Sequence, residues 1–208
     1  DNVVIQGYCV IGVHSFGDNK KLLQIGDNSL IRSKSIFYTG STFGPKLITG
    51  HNVTVRENVI AGKNLQLGTL TDIQGDCEIG DHVKFHSSVH IGKSSRIGSF
   101  VWIYPFVVLT NDPTPPSLNM EGITIENYVV IATSSTILPG LTIKEGTVIA
   151  AHSKVTKNTK PHTLIAGKPA KEICATFKIK LKNDKKISAY PWTKHFHRGY
   201  PPEVIKEW

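Results

Sequence analysis

The chain of 208 residues is short of the features that usually announce a function. Its cysteines are only Cys9, Cys77 and Cys174, an odd number without paired spacing. That argues against a disulfide framework and suits a reducing compartment. No stretch approaches the roughly 20 consecutive apolar residues that span a bilayer. No basic-then-apolar leader opens the chain, so a cytoplasmic location without membrane attachment is expected. No glycine-rich loop of the Walker or Rossmann type occurs. Neither a recognition-helix pattern nor an aromatic-basic motif of the RNA-binding kind is found, so nucleic acid is not an expected partner. No metal is expected.

Charge is present but uneven. The formal net charge is +8, and from Lys171 onward nine Lys and Arg face four Asp and Glu, leaving about +3 for the preceding body. The tail reads as a solvated segment or as an attraction for a polyanionic ligand such as a coenzyme phosphate.

What the chain does have is a beat of six. Ile25, Ile31, Phe37, Phe43, Thr49, Val55, Ala61, Leu67, Ile73, Ile79, Phe85, Ile91, Ile97, Ile103 and Leu109 share one phase, and thirteen of these fifteen are large and apolar. A period of six fits neither an α-helix nor an alternating strand. It fits a chain that turns a corner every six residues, as in a β-helix of hexapeptide repeats. The position four after the phase is small or β-branched, as at Ser29, Ser35, Ser41, Val53, Val59 and Cys77. The position three after it carries Asn28, Gly40, Asn52, Asn58, Asn64 and Asp76. These residue types tolerate the left-handed backbone of a tight corner. Cys77, and Cys9 if Ile5 starts a hexad, read as small core residues.

Ile5 and Ile11 begin the repeat. The interval from Ile11 to Ile25 reads as two hexads plus two, with a small loop near 17–21 taking up the extra pair. The phase breaks over 110–122, TNDPTPPSLNMEG, and resumes from Ile125 to Val155. Three prolines and no apolar periodicity make that break a loop thrown out from the coil, which a repeat scaffold tolerates. The predicted organisation is a β-helix over 1–160 with the projecting loop, then an exit segment and C-terminal cap over 161–208. Residues 162–173 are expected to leave the coil. A strand is predicted over 176–182, and a short helix at Pro201-Pro202. The tail, with its aromatic run YPWTKHFHRGYP, is expected to cap the open end or to pack on a neighbouring subunit.

The hexads resemble those of the left-handed β-helix (hexapeptide-repeat) acyltransferases. The run IENYVVIATSSTILPGLTIKEGTVIAAHSKVTKNTKPHTLIAGKPAKEI is similar to that family's last coils and exit segment. LTNDPTPPS resembles the loop of the bacterial sugar-nucleotide N-acyltransferases, which serve surface polysaccharide synthesis. The resemblance spans roughly residues 3–173. It implies an all-β, left-handed parallel β-helix with three hexads per coil, and a homotrimer with active sites between subunits. It further implies acetyl-CoA or another acyl-CoA as donor, and an amino or hydroxyl group of a nucleotide-linked sugar as acceptor. With three hexads per coil, equivalent positions of successive coils stack about 4.8 Å apart. Face one then holds phase residues 31, 49, 67, 85 and 103; face two 37, 55, 73, 91 and 109; face three 25, 43, 61, 79 and 97.

Acyl transfer from a thioester needs a base for the acceptor proton, and histidine is the usual one near neutral pH. His86 and His90 are the candidates. Both point outward and flank the corner Ser87-Ser88, with His90 one coil below the strand that launches the loop. Either could instead be an ordinary exterior histidine packed on a neighbouring chain. Some sugar N-acyltransferases carry amide side chains in this corner and use no protein base, and this chain departs from them. Asn111 and Asp112 open the loop, as turn formers or over the acceptor. Trp102 and Tyr104 point outward, toward a subunit contact or a base or sugar. For the coenzyme, the resemblance points to Ala132 and Ala150, stacked one coil apart, and to Lys168 and Lys171 of the exit segment as phosphate contacts. Rival readings are O-acetyl transfer to a non-nucleotide small molecule, a zinc-dependent hydratase and a non-catalytic scaffold. The hydratase needs three imidazoles, and no third partner for His86 and His90 is evident.

Overall fold

In a computed structural model, which describes residues 1–15, 21–190 and 202–206, the chain is a parallel β-solenoid. Among the described residues, strands mostly two residues long stack into three sheets of ten, eight and seven. Each sheet is one face of the coil. Phe85 pairs with Leu67 and Ile103 on face one, Ile91 with Ile73 and Leu109 on face two, and Ile79 with Ala61 and Ile97 on face three. Three hexads therefore complete a turn.

The phase residues point inward. From Ile31 to Val155 they are buried in one continuous core, where each Leu, Ile or Phe contributes about 1.5–3 kcal/mol by leaving water. The two exceptions have local reasons. The Thr49 hydroxyl is buried but accepts the Arg32 backbone N–H at 2.8 Å, so its polar atom is satisfied. Ala61 pairs with Phe43, whose ring meets Phe37 edge-on at 5.4 Å; a methyl there leaves room for it. The second inward position is small because the chain is about to turn. Ser29 and Ser41 are buried at such sites, and their hydroxyls accept the amides of Leu47 and Val59, one coil on, at 3.1 and 3.0 Å.

The corners are left-handed. Asn28, Asn52, Asn58, Asn64 and Asp76 have φ between 48° and 57°, as their residue types require. Other corners hold bulky residues in the same conformation, among them Leu70, Phe100, Phe106 and Tyr128. That backbone costs roughly 1–2 kcal/mol per non-glycine residue. Stacking offsets it at one corner: the Phe100 ring lies 5.0 Å from His82 and 5.4 Å from Tyr128, nearly parallel to both.

Two predicted boundaries need correction. Ile5 pairs with Ile31 and Ile11 with Phe37, so the first coil takes three hexads and eight extra residues to close. Ile25 stands on face three with Phe43, one face after Ile11. The interval is thus one hexad plus eight, not two hexads plus two; most of the predicted loop at 17–21 lies outside the described residues. At the other end the repeat does not stop at 160. Thr163–Gly167 pairs in parallel with Val148–Ile149, adding a strand to face one, and then returns antiparallel as Ala170–Ala175. The predicted strand over 176–182 opens instead with the 3-10 turn Thr176–Lys178, followed by a bridge from Lys180 to Ser188.

The short helix is present at Pro202–Ile205. Two described tail residues, Tyr190 and Val204, pack on face one. Val204, with Tyr190 partly buried, joins Phe100, Val130 and Val148 in a second apolar cluster. Val130 and Val148 thus point away from the main core and are still buried. The rest of the aromatic run lies outside the described residues.

Candidate functional site

Alternation along each strand sends the residue after every phase position outward, and stacking aligns these residues into columns. On face one the column runs Arg32, Gly50, Gly68, His86, Tyr104, Ala132, Ala150, Ala166. Successive backbone bonds tie it together: His86 N–H donates to the Ile103 carbonyl, Tyr104 to Ile131, Ala132 to Ile149 and Ala150 to Ile165, at 2.8–3.0 Å. The projecting loop intervenes between Leu109 and the next coil, yet Ile103 still pairs with Ile131. The interruption does not disturb the column.

His86 sits midway along it. Its ring stacks on Tyr104, centroids 4.6 Å apart, and is tilted against Trp102 at 6.4 Å. Burial, aided by the neighbouring Lys84 ammonium, holds the imidazole below its usual pKa. Above it in the chain's direction comes Tyr104, and beyond Tyr104 the column narrows to methyl groups at Ala132, Ala150 and Ala166. Lys171 pairs with Ala166 across the terminal hairpin, and Lys168 stands exposed at its turn. From His86 to Ala166 is four strand spacings, about 19 Å. The tail cluster over Val130 and Val148 flanks this trough, since those residues precede the same phase positions. Below His86 is a cleft of about 410 Å³, lined by Arg32, Gly50, Gln66, Gly68, Lys84, Ser87 and Trp102 among others. Ser88 supplies a left-handed corner, its N–H donating to the Thr69 carbonyl at 2.9 Å.

His90 lies round the corner on face two, paired with Val108. The two histidines thus belong to different faces, and His90 is not among the residues lining the His86 cleft. His90 Nδ1 lies 2.9 Å from Asp72 Oδ2, and the same oxygen accepts from Gln74 Nε2 at 2.6 Å. Burial pulls the Asp72 carboxyl upward, but the hydrogen bonds from His90 and Gln74 outweigh it and leave it below its usual range. The ionised Asp72 carboxylate thus orients the His90 ring through Nδ1. Asp72 is missing from the candidates that the sequence suggests, although its signal is there. It stands three hexads before His90, so the two must stack.

Asn111 and Asp112 root the loop differently. The Asn111 carbonyl accepts the Glu121 N–H at 2.8 Å and closes the loop's base, while the side chain overhangs Gly92. Asp112 is engaged within the loop. Its oxygens accept from Ser117 Oγ at 2.7 Å, Ser117 N at 2.9 Å and Thr114 N at 3.0 Å, bonds that lower its pKa. Among the described residues no group of three or more His, Cys, Asp or Glu could hold a metal ion, and no helix is long and apolar enough to cross a membrane.

The coils find counterparts among known proteins. A probable macrolide acetyltransferase of Lysinibacillus sphaericus is 35% identical over 117 residues, covering 53% of this chain and 60% of the relative. A chloramphenicol acetyltransferase of Morganella morganii is 32% identical, covering 54% and 52%. Both relatives are named as acetyltransferases. The chain spans about half to three fifths of their length. The N-acyltransferase AntD of Bacillus cereus, solved with dTDP and coenzyme A, is similar over 75% of this chain and 84% of its own, with a TM-score of 0.49 and 19% identity. No family model matches the chain.

Proposed function

We propose that this chain is an acyl-CoA-dependent acyltransferase that moves an acetyl or short acyl group onto an amino or hydroxyl group of a nucleotide-linked sugar. One observation carries the reading: on a single column the stacked pair His86–Tyr104 stands between a trough floored by alanines and a polar cleft, with His86 on the cleft side. The pantetheine arm of acetyl-CoA lies along Ala132, Ala150 and Ala166, where small side chains leave the main chain approachable. Lys168 and Lys171 meet its phosphates. The thioester then reaches His86, and the acceptor approaches from the cleft beside Ser87. His86, neutral near pH 7, takes the proton as the acceptor nitrogen or oxygen attacks the thioester carbonyl. The tetrahedral adduct collapses, the C–S bond breaks, and the proton passes to the departing coenzyme A thiolate. His90, held by Asp72 on face two, serves the part of the acceptor that reaches round the Ser87-Ser88 corner, beneath the loop that Asn111 and Asp112 root. The family resemblance supports a homotrimer in which a second subunit closes the grooves, and a cytoplasmic setting follows from the supply of acyl-CoA.

A second reading has its own support. The relatives named for macrolide and chloramphenicol acetylation favour a hydroxyl on a non-nucleotide small molecule. A screen of nucleotide-linked amino sugars, neutral sugars and drug-like alcohols against acetyl-CoA, read by release of free thiol, tests both. Thiol release with a nucleotide sugar alone is expected. Release only with the alcohols moves the acceptor class, and none with any acceptor removes the proposal.

The loop offers a separate check. Because the Asn111 and Glu121 backbones already meet, replacing 113–120 by two glycines should leave the melting temperature within a few degrees. The KM for the acceptor should rise at least tenfold, and that for acetyl-CoA should hold. Loss of assembly in gel filtration would assign the loop to subunit contact instead.

A further inference from the structure

The cleft below His86 has a chemistry of its own, and the alanine trough does not explain it. Arg32 stands at its far end, three strand spacings or about 14 Å from His86. Between them the column is glycine, at 50 and 68, where a Cβ would fall 2.3 Å from backbone atoms of Thr69 and His86 respectively. The floor there is bare main chain. The flank is the column that precedes the phase, with Gln66 and Lys84 facing the space and Trp102 beyond. The Lys84 ammonium lies 4.7 Å from the centre of the Trp102 ring. One Arg32 nitrogen donates to the Thr49 carbonyl at 2.6 Å, which holds the guanidinium in place. The group has five N–H donors in all. No Asp or Glu is found among the residues lining this space. Two cations and an amide thus converge on about 410 Å³.

We propose that this cleft is an anion subsite for the diphosphate of the acceptor, with Arg32 and Lys84 as its cationic contacts and Gln66 as an added donor. It rests on the proposed function and adds to it the place and chemistry of acceptor binding. Arginine's planar fork suits two phosphate oxygens, and lysine acts as a point charge. Burial holds the Lys84 ammonium below its usual pKa, so a desolvated cation gains from an anion brought beside it.

The test uses inorganic pyrophosphate and uridine diphosphate, titrated by calorimetry into protein already saturated with coenzyme A, so that the donor's own phosphate contacts are occupied. One site per chain is expected, with the nucleotide binding more tightly than pyrophosphate. Arg32→Gln and Lys84→Gln should each weaken it about ten- to a hundredfold. Acetyl-CoA affinity should stay within about twofold of the parent in both. Should Arg32→Gln fail to fold, Lys84→Gln decides. Displacement of the anions by coenzyme A, parental affinity in the Lys84 variant, or a nucleotide no tighter than pyrophosphate each overturns the subsite. If coenzyme A itself does not bind, the transferase reading fails, and the same titration without it still reports on the cleft.

Discussion

Replacing His86 with Asn is expected to lower kcat for acetyl transfer by about 10²–10⁴-fold, the usual worth of a positioned general base. Asn keeps a planar polar group of similar reach against Tyr104, so the column should remain folded and the KM for acetyl-CoA nearly unchanged. The pH profile sharpens the test. A base must be neutral to act, and burial together with Lys84 holds His86 below the ordinary histidine value of about 6.5. Activity should therefore be complete above that value and fall as pH drops through the lowered one. Lys84→Gln removes the second cause and should shift the acid limb upward, while burial keeps it under the ordinary value. His90→Asn separates the two histidines: it should act mainly on the KM for the acceptor. If it abolishes kcat and Asp72→Asn follows it partway, while His86→Asn is nearly silent, then the base is the Asp72–His90 pair on face two.

That two histidines so near in the chain end on different faces shows what the sequence makes legible. The beat of six is a local rule. Each hexad repeats it, so the coil, its inward residues and the Asn, Asp and Gly corners can all be read without knowing what lies next to what. Contacts between coils need one more step, the spacing of three hexads, and it works wherever the count is unbroken. It places Asp72 under His90 and His86 under Tyr104. Where residues are inserted, the count alone is ambiguous. Between Ile11 and Ile25, two hexads plus two is as good a division as one hexad plus eight. Only the pairing of Ile11 with Phe37 decides, because it fixes which face Ile25 occupies.

Bulky corners are hidden for a related reason. Nothing in the residues next to Phe100 explains an aromatic side chain on left-handed backbone. The compensation comes from His82, one coil before, and Tyr128, one coil after and across the loop. The arrangement of the tail is equally out of reach. Val130 and Val148 look like ordinary outward β-branched residues until Val204 and Tyr190 are laid over them. The cleft below His86 is intermediate: its glycines and Arg32 are in the hexad pattern, but the convergence of Lys84 and Gln66 on the same space comes only from the stacking of face one.

Placing an indole on the alanine trough is expected to have an equally large effect, on binding in place of turnover. Ala150 points outward between Ala132 and Ala166, and its backbone N–H is already committed to the Ile165 carbonyl at 3.0 Å. Ala150→Trp therefore needs no change in the coil, and outward substitutions of this kind usually move stability by no more than about 0.5 kcal/mol. The indole would fill the width that the methyl groups leave open, between the tail cluster on one side and the corner on the other. A pantetheine arm could no longer lie against the main chain at that level. The Kd for acetyl-CoA should rise by about a hundredfold, near 2.7 kcal/mol, with the melting temperature kept. Ile60→Trp on face three, where the parent side chain is exposed, supplies the same bulk away from the trough and should leave the Kd alone. Equal affinities in the two variants would mean that the donor does not use this column. The role given to His86 would then lose its reason, since its place on the alanine column, one strand beyond Tyr104, is what brings it to the thioester.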